Sequence, residues 1–442
     1  MSQTVAHNTL IAALKRLDLL TNWESRPRSS MRPSLEPVRD LMQRLGNPHQ
    51  HFRAVHVAGT KGKGSVCALI EAGMIRAGLR VGRYASPHLE RVNERVSIMG
   101  QPVDDTTLAN ALVQALDCLE AAKQENTPAF DATWFDLLTA AAFLVFREAG
   151  LEWVAVEVGL GGRLDSSNIV HGEVAIVTNI ELEHTEILGA TREAIAGEKV
   201  GILKPHAVLI TTLAATDEAG QVLQARAAAL GAQVFRTEVK VDDSIETINT
   251  ALAGLALDYL GTQDVLVRAD MTSPRVGAWL LDTSTRAAAR LPGRLERMEI
   301  PYFGPSPTPS RTIPVVLDGA HVPFNLEAVL RDLWREPDLG VPCVAVVAIA
   351  GDKDALGLLT ALSRYVQRVV FTELPSAGIR HAALELHRIA QSVGLPSEVR
   401  EDPRKALERG LQLASESQGW VLVTGSLHLV GSLRQMLRSD PH

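Results

Sequence analysis

Val57-Ala58-Gly59-Thr60-Lys61-Gly62-Lys63-Gly64-Ser65-Val66 is the stretch on which the reading of this chain turns. Before it, Arg53–Ala58 is short, β-branched and apolar enough to predict a buried strand. After it, Ser65–Ala77 has the length and spacing of a helix. A glycine-rich turn between a strand and a helix lets the backbone curl closely around a phosphate. The helix start behind it offers unpaired N–H groups and a partial positive charge. Lys63 is placed to lie against the terminal phosphates of a nucleotide, with Gly59, Thr60, Lys61, Gly62, Gly64 and Ser65 lining the turn. The strict pattern G-x-x-x-x-G-K-[ST] is not met: the glycine spacing is shorter, and Gly64 stands between Lys63 and Ser65. A plain flexible turn explains the two lysines poorly, because packed cations need anionic company.

Working outward, strand-like runs alternate with helix-length segments, which predicts an α/β fold with mostly parallel sheets. Trp153–Val158, Val174–Thr178 and Ala207–Thr212 are expected strands; Asp104–Lys123, Thr133–Ala149, Thr216–Leu230 and Ser244–Leu260 are expected helices. The Pro-rich segment Pro301–Arg311 is expected to be a surface loop near a domain junction. Beyond it the alternation restarts, with strands at Pro314–Leu317, Val341–Ala350, Val369–Glu373 and Trp420–Thr424. Helices follow at Phe324–Trp334, Ala355–Tyr365, Arg380–Val393 and Leu427–Leu437. The expected division is residues 1–292 and 293–442.

Composition bounds the partners. The 442 residues carry a formal net charge of −7, against the basic footprint that non-specific nucleic-acid binding requires. Anionic small substrates remain compatible, since a few focused cations reverse the local field. The longest apolar run, Val341–Ala350, is too short to span a bilayer. Cys67, Cys118 and Cys343 are scattered and odd in number, which suits a reducing compartment. No secretory signal is visible in MSQTVAHNTL, so the expected location is the cytoplasm.

Further along, Glu157 ends an apolar strand and is followed by Val158-Gly159-Leu160-Gly161-Gly162-Arg163-Leu164-Asp165-Ser166-Ser167-Asn168. A carboxylate at the carboxyl end of a strand sits where open α/β sheets place ligands, and its hard oxygens suit Mg²⁺. A solvated edge carboxylate is the competing reading, weakened by the glycines and arginine beside it. Taken together, several motifs in one order resemble the folylpolyglutamate synthase/dihydrofolate synthase family of the Mur ligase superfamily. They are the Gly62-Lys63-Gly64-Ser65 turn, Tyr84–Leu89 with Glu94-Arg95-Val96, Thr133–Asp136 with Thr139, and the Glu157–Asn168 stretch. Thr178-Asn179-Ile180, Glu183-His184-Thr185, Glu198–Ile202, Asp318–His321, Asp352-Lys353-Asp354 and Thr424–Leu427 continue the series over nearly the whole chain.

The resemblance implies a P-loop-containing Mur ligase-type central domain with a smaller Rossmann-like α/β domain after it. It implies an ATP-dependent ligase that adds L-glutamate to the carboxylate of tetrahydrofolate through an acyl phosphate, with dihydropteroate as a further acceptor. ATP is the co-substrate and Mg²⁺ the cofactor, with no nucleic acid, no membrane and a monomeric chain. Lys63, Glu157, His184, Lys199 and Arg294 are the implied catalytic residues. Ser86, Glu157, His184 and Lys199 (as a carbamate) are the implied metal ligands. Asn249, Arg294, Asp318 and His321 join the turn in holding nucleotide; Thr133, Trp134, Phe135, Asp136, Leu164, Asp165 and Ser166 face the folate or pteroate. Read alone, His184 is more often a satisfied polar residue, Lys199 a solvated helix lysine, Arg294 a surface arginine, and Asp318 as readily a helix cap. Glu183, Asp136 and Val322 depart from the family's usual Asp, Glu and Asn. A cell-wall Mur ligase would place a uridine-nucleotide domain ahead of the turn, where 58 residues stand here. A nucleotide-dependent switch without ligation is the rival from another class; ADP release that needs both folate and glutamate separates it from a ligase.

Overall fold

The computed structural model describes residues 3–24, 31, 33–240, 242–262, 275–302, 311–339, 342–374 and 380–439. The chain forms two compact units, Met1–Ala289 and Arg290–His442.

The first unit is built on an eight-stranded sheet. Its strands are β1 (Arg53–Ala58), β2 (Val81–Tyr84), β3 (Val96–Ile98), β4 (Gln101–Pro102), β5 (Trp153–Glu157), β6 (Gly172–Val177), β7 (Val208–Thr211) and β8 (Val234–Arg236), in the order β4-β3-β2-β5-β1-β6-β7-β8. From β2 to β8 all neighbours are parallel, while β3 and β4 turn back antiparallel at the edge. The central strands β1, β5 and β6 are almost entirely buried, as the apolar runs require of a sheet covered on both faces. The helices are α1 (Gln3–Leu17), α2 (Glu36–Arg44), α3 (Lys63–Arg76), α4 (Asp105–Glu125), α5 (Trp134–Glu148), α6 (Thr185–Leu188), α7 (Arg192–Lys199), α8 (Glu218–Ala229), α9 (Ile245–Gly261) and α10 (Thr283–Ala288).

Helix α5 is apolar all round and buried all round, packing on α4 and α2. Its Phe143 and Phe146 meet Phe52 with ring centroids 5.6 and 5.8 Å apart, and Phe143 also meets Tyr84. Each such side chain contributes roughly 1.5–3 kcal/mol by leaving water. Helix α3, which carries the glycine turn, is fixed by a buried polar cluster. Glu71 accepts from Arg83 Nε at 2.8 Å, from Ser97 Oγ at 2.6 Å and from Gly100 N at 3.1 Å. That ties α3 to β2, to β3 and to the turn before β4.

The second unit holds a six-stranded sheet. Its strands are β9 (Glu296–Tyr302), β10 (Arg311–Leu317), β11 (Cys343–Val347), β12 (Arg368–Phe371), β13 (Ser397–Val399) and β14 (Trp420–Thr424), ordered β13-β12-β11-β14-β10-β9. Only β9 is antiparallel to its neighbour. Five helices cross it: α11 (Pro323–Trp334), α12 (Ala355–Leu362), α13 (Ala383–Ser392), α14 (Pro403–Glu416) and α15 (Leu427–Ser439). The expected loop Pro301–Arg311 needs correction at both ends. Pro301 pairs with Thr312 and Tyr302 with Arg311, so the ends of this segment are strand. Pro301 is tolerated because β9 is an edge strand. Residues 303–310 between them lie outside the described residues. Among the described residues no helix is long and apolar enough to cross a membrane, and the three cysteines are unbridged.

Candidate active site

The glycine turn follows β1 and runs into α3, whose N-cap is Gly62 in the left-handed region (φ 84°). Gly62 brings no side chain to cap the helix, so no side chain competes for the first-turn N–H groups of Lys63, Gly64 and Ser65. A Cβ on Gly62 would stand 2.5 Å from Asn249 Oδ1, so only glycine fits there. Asn249 belongs to α9 and to the first unit, where the close packing of α9 on α3 places it against the turn.

Residues after β6 hold the rest of the turn. Thr60 N donates to Asn179 O and Lys61 N to Asn179 Oδ1, each at 2.9 Å, while Thr178 Oγ1 donates to Lys61 O at 2.6 Å. Lys61 Nζ pairs with Glu183 Oε1 at 3.1 Å, and His184 Nε2 lies 3.7 Å from that same oxygen. Lys63 folds back so that its Nζ donates to Gly59 O at 3.1 Å. Lys199, the last residue of α7, donates to the same carbonyl at 2.9 Å. Two lysines from separate helices thus share one backbone acceptor. Lys199 is buried, and desolvation, with the Lys63 charge second, lowers its pKa to about 7.

Lys199 owes its position to two glycines, Gly162 of the signature stretch and Gly201 just after α7. A Cβ on Gly162 would lie 2.8 Å from the carbonyl oxygens of both Glu198 and Lys199, and one on Gly201 would lie 2.4 Å from Arg163 Cβ. Arg163 N donates to Glu198 O at 2.7 Å, and its guanidinium pairs with the Glu198 carboxylate at 2.8 Å. Gly162, in the run expected to face a ligand, also seats the end of α7. Glu157, at the end of β5, is buried, and its Oε2 accepts from Ser86 N at 3.0 Å.

The expected folate-side residues form a second hydrogen-bonded group. Thr133 is the N-cap of α5 and Asp136 its reciprocal partner in a capping box. Asp136 Oδ2 accepts from Thr133 N and Oγ1 at 2.8 and 2.7 Å, and Oδ1 from Ser166 Oγ at 2.5 Å. Asp165 Oδ2 accepts from Leu160 N at 2.8 Å and Oδ1 from Ser167 N at 3.0 Å. Burial raises the pKa of both carboxylates. Ser167 Oγ also bonds Asp165 and lies 2.9 Å from His56 Nε2, in the middle of β1. Burial lowers His56 to about 3, so it is neutral. Trp134 Nε1 donates to Asp18 at 3.0 Å, and its ring lies under the Arg95 guanidinium. Phe135 packs on Tyr84, and its ring fills the space that a Cβ on Gly159 would need. Leu164 packs against the core. Arg95 itself was read from the sequence only as part of a motif. It is buried, held by Glu24 at 2.6–2.9 Å and by His88 at 2.8 Å, a long-range network that no spacing rule reveals.

Arg294, Asp318 and His321 belong to the second unit, at the turn before β9 and the end of β10. Asp318 ties the turn before β9 to the end of β10: Oδ2 accepts from Leu295 N and Oδ1 from Ala320 N, both at 2.9 Å. Gly319 N donates to Gly293 O at 3.1 Å, and His321 Nδ1 lies 2.8 Å from Gly319 O. These bonds bring Arg294, Asp318 and His321 into one cluster.

No three His, Cys, Asp or Glu side chains gather as a metal site among the described residues. At the sheet's carboxyl end the buried Glu157 carboxylate stands beside Ser86, while Lys199 lies on Gly59 O and His184 near Glu183. Carboxylate and hydroxyl oxygens fit a hard cation, and a carbamate on Lys199 would supply a further oxygen donor.

Comparison with known proteins gives two matching families, the Mur ligase middle domain over residues 57–254 and the Mur ligase, glutamate ligase domain over residues 297–427. A dihydrofolate synthase/folylpolyglutamate synthase of Bacillus subtilis is 30% identical, covering 94% of this chain and 98% of its own. Among solved structures, Mycobacterium tuberculosis folylpolyglutamate synthase complexed with ADP and AMPPCP superposes with a TM-score of 0.80 at 26% identity, covering 99% of this chain and 100% of that one. A bifunctional folylpolyglutamate synthase/dihydrofolate synthase from Yersinia pestis, complexed with AMPPNP and Mn ion, gives a TM-score of 0.76 at 28% identity, with 97% and 98% covered.

Proposed function

Since the chain belongs to the Mur ligase superfamily, in its folylpolyglutamate synthase/dihydrofolate synthase family, we propose that it joins L-glutamate to the carboxylate of a folate at the expense of ATP. The observation that carries this reading is the meeting of Lys63 and Lys199 on Gly59 O, beside an α3 N-terminus that no side chain caps. Such a cluster of donors suits a polyphosphate, and it lies at the carboxyl edge of a parallel sheet.

In this reading the folate carboxylate attacks the γ-phosphorus of ATP, the bond to the β-phosphate oxygen breaks, and an acyl phosphate and ADP result. The amino group of glutamate then attacks the acyl carbon, phosphate departs with the bonding pair, and the amine loses a proton. Every reactant is anionic, so the protein's work is to hold the charges and align them. Lys63 exchanges the Gly59 carbonyl for phosphate oxygens, and the first-turn amides of α3 hold the neighbouring phosphate. Arg294 is the second unit's candidate for the transferred phosphoryl group, because its fork matches phosphate oxygens. Ser86, Glu157, His184 and a carbamylated Lys199 would hold Mg²⁺, which neutralises phosphate charge when bound. A lysine with a pKa near 7 has a substantial neutral-amine fraction around physiological pH, unlike an exposed one. Its lone pair can add to carbon dioxide, and the product sheds a proton to become an anionic carbamate.

The Thr133–Asp136 and Asp165–Ser166 group supports a folate or pteroate at the start of α5. The same carboxylate chemistry serves tetrahydrofolate and dihydropteroate, and relatives carry both names. The deciding experiment incubates the protein with ATP, Mg²⁺, L-glutamate and either acceptor, reading products by mass. A gain of one glutamyl unit with stoichiometric ADP supports the reading. ADP formation without any glutamylated product refutes it.

A further inference from the structure

At the opposite edge of the first sheet lies a cavity of about 390 Å³, whose polar lining is Arg39, Gln43, Asn47, His49, Asn168 and Lys204. Asn47 and His49 precede β1, Asn168 precedes β6 and Lys204 precedes β7. The glycine turn follows β1, so a strand length, about 20 Å, separates the two places. The lining contains no Asp or Glu, in a chain whose formal net charge is −7. We propose that this cavity is a second oxyanion site, taking a small ligand that carries a phosphate group or a pair of carboxylates.

The cations here are not neutralised from within. Lys204 spends two donors on Asn168, reaching its O and its Oδ1 at 2.8 Å each. An ammonium has three protons, and the third has no protein acceptor among the described residues. The charges acting on Lys204 are Arg39 from α2 and Arg226 from α8, both positive. With desolvation as the larger cause, they lower its pKa to about 8. Neither arginine has an ion pair among the described residues. His49, on the short turn before β1, has a buried Nδ1 without a partner there. Two cations, Arg39 and the half-buried Lys204, face a hollow that holds no carboxylate, and two oxygens on one group would engage both together. Asn168 extends the consequence: its Nδ2 donates to Arg163 O at 2.9 Å and Gly201 O at 3.2 Å. The residue that holds Lys204 therefore also holds the stretch that seats Lys199.

The test is calorimetric titration of the full chain with inorganic phosphate and, separately, glutarate. The proteins compared are wild type, Lys204→Met, Arg39→Gln and Lys63→Ala. Binding that survives Lys63→Ala and weakens at least tenfold in both Lys204→Met and Arg39→Gln is expected. Arg39 is exposed, so its variant keeps the fold even if Lys204→Met does not. At pH 8 an anion raises the Lys204 pKa, so the wild type takes up a fraction of a proton and Lys204→Met takes up none. Tighter phosphate assigns the site to phosphate esters, and tighter glutarate to polycarboxylates. Failure of both to bind, or binding lost only in Lys63→Ala, overturns the proposal without touching the ligase reading.

Discussion

Replacing Lys199 with methionine removes a buried amine whose charge the fold opposes. The buried side chain has its pKa lowered from 10.5 to about 7, a difference worth on the order of 5 kcal/mol between folded and unfolded chains. Above pH 10.5 both states hold a neutral amine and nothing is lost. As pH falls from there towards 7 the unfolded chain binds the proton first, so stability drops; below 7 both bind it and the deficit is constant. Methionine keeps the length and the burial and cannot titrate. It gives up one hydrogen bond to Gly59 O, roughly 1 kcal/mol, while Lys63 still serves that carbonyl. Lys199→Met is therefore expected to be the more stable protein near pH 7, by several kcal/mol, with the gap closing by pH 10.5. Urea unfolding of both proteins from pH 6 to 10.5, in metal-free and bicarbonate-free buffer, measures it through the buried Trp134 and Trp153. A stability gap that does not change with pH, or a wild type more stable at pH 7, would refute the reasoning. Ligation in the variant should be nearly abolished, placing a stability cost and an activity on one side chain.

Lys63→Ala should leave far-UV circular dichroism unchanged and lower kcat/KM by at least a hundredfold, checked by ADP release. Gly62→Ala should weaken nucleotide affinity tenfold or more through its positive φ and the approach of Asn249. Pairing it with Asn249→Ala should recover the steric part but not the backbone part, as nucleotide titration will read. Glu71→Gln strands the buried Arg83 charge and should cost roughly 3–5 kcal/mol in denaturant. Labelled ¹³C-bicarbonate should give a carbamate resonance in the wild type with Mg²⁺ that is missing from Lys199→Met; its absence from active wild type would reject the modified lysine.

The α/β character was legible because apolar strands and amphipathic helices alternate with clear punctuation. Arg53–Ala58 falls within the residues predicted, and α3 begins two residues before the expected Ser65 because Gly62 acts as its N-cap. The short edge strands β3 and β4 were not legible, since two or three residues carry no period, nor was α14, whose apolar positions are interspersed with charge. Proline misled the reading at Pro301, where an edge position removed the objection. For the site, sequence placed a glycine-lysine turn between strand and helix. The meeting of Lys63 with Lys199, of Asn249 with Gly62 and of Glu24 with Arg95 depends on separations of tens to hundreds of residues, which only the folded chain brings together.

The contact of Gly162 with the carbonyls of Glu198 and Lys199, and of Gly201 with Arg163, bears on how this protein tolerates change. Here the position of the Lys199 nitrogen is set by hydrogens where other residues would have methyl groups. A survey of all substitutions should accordingly find intolerance at Gly162 and Gly201 as sharp as at Lys199 itself, although neither glycine has a side chain to offer a substrate. Loss-of-function variants read by distance from bound ligands alone would leave those two positions unaccounted for, and the missing measure is room for one carbon.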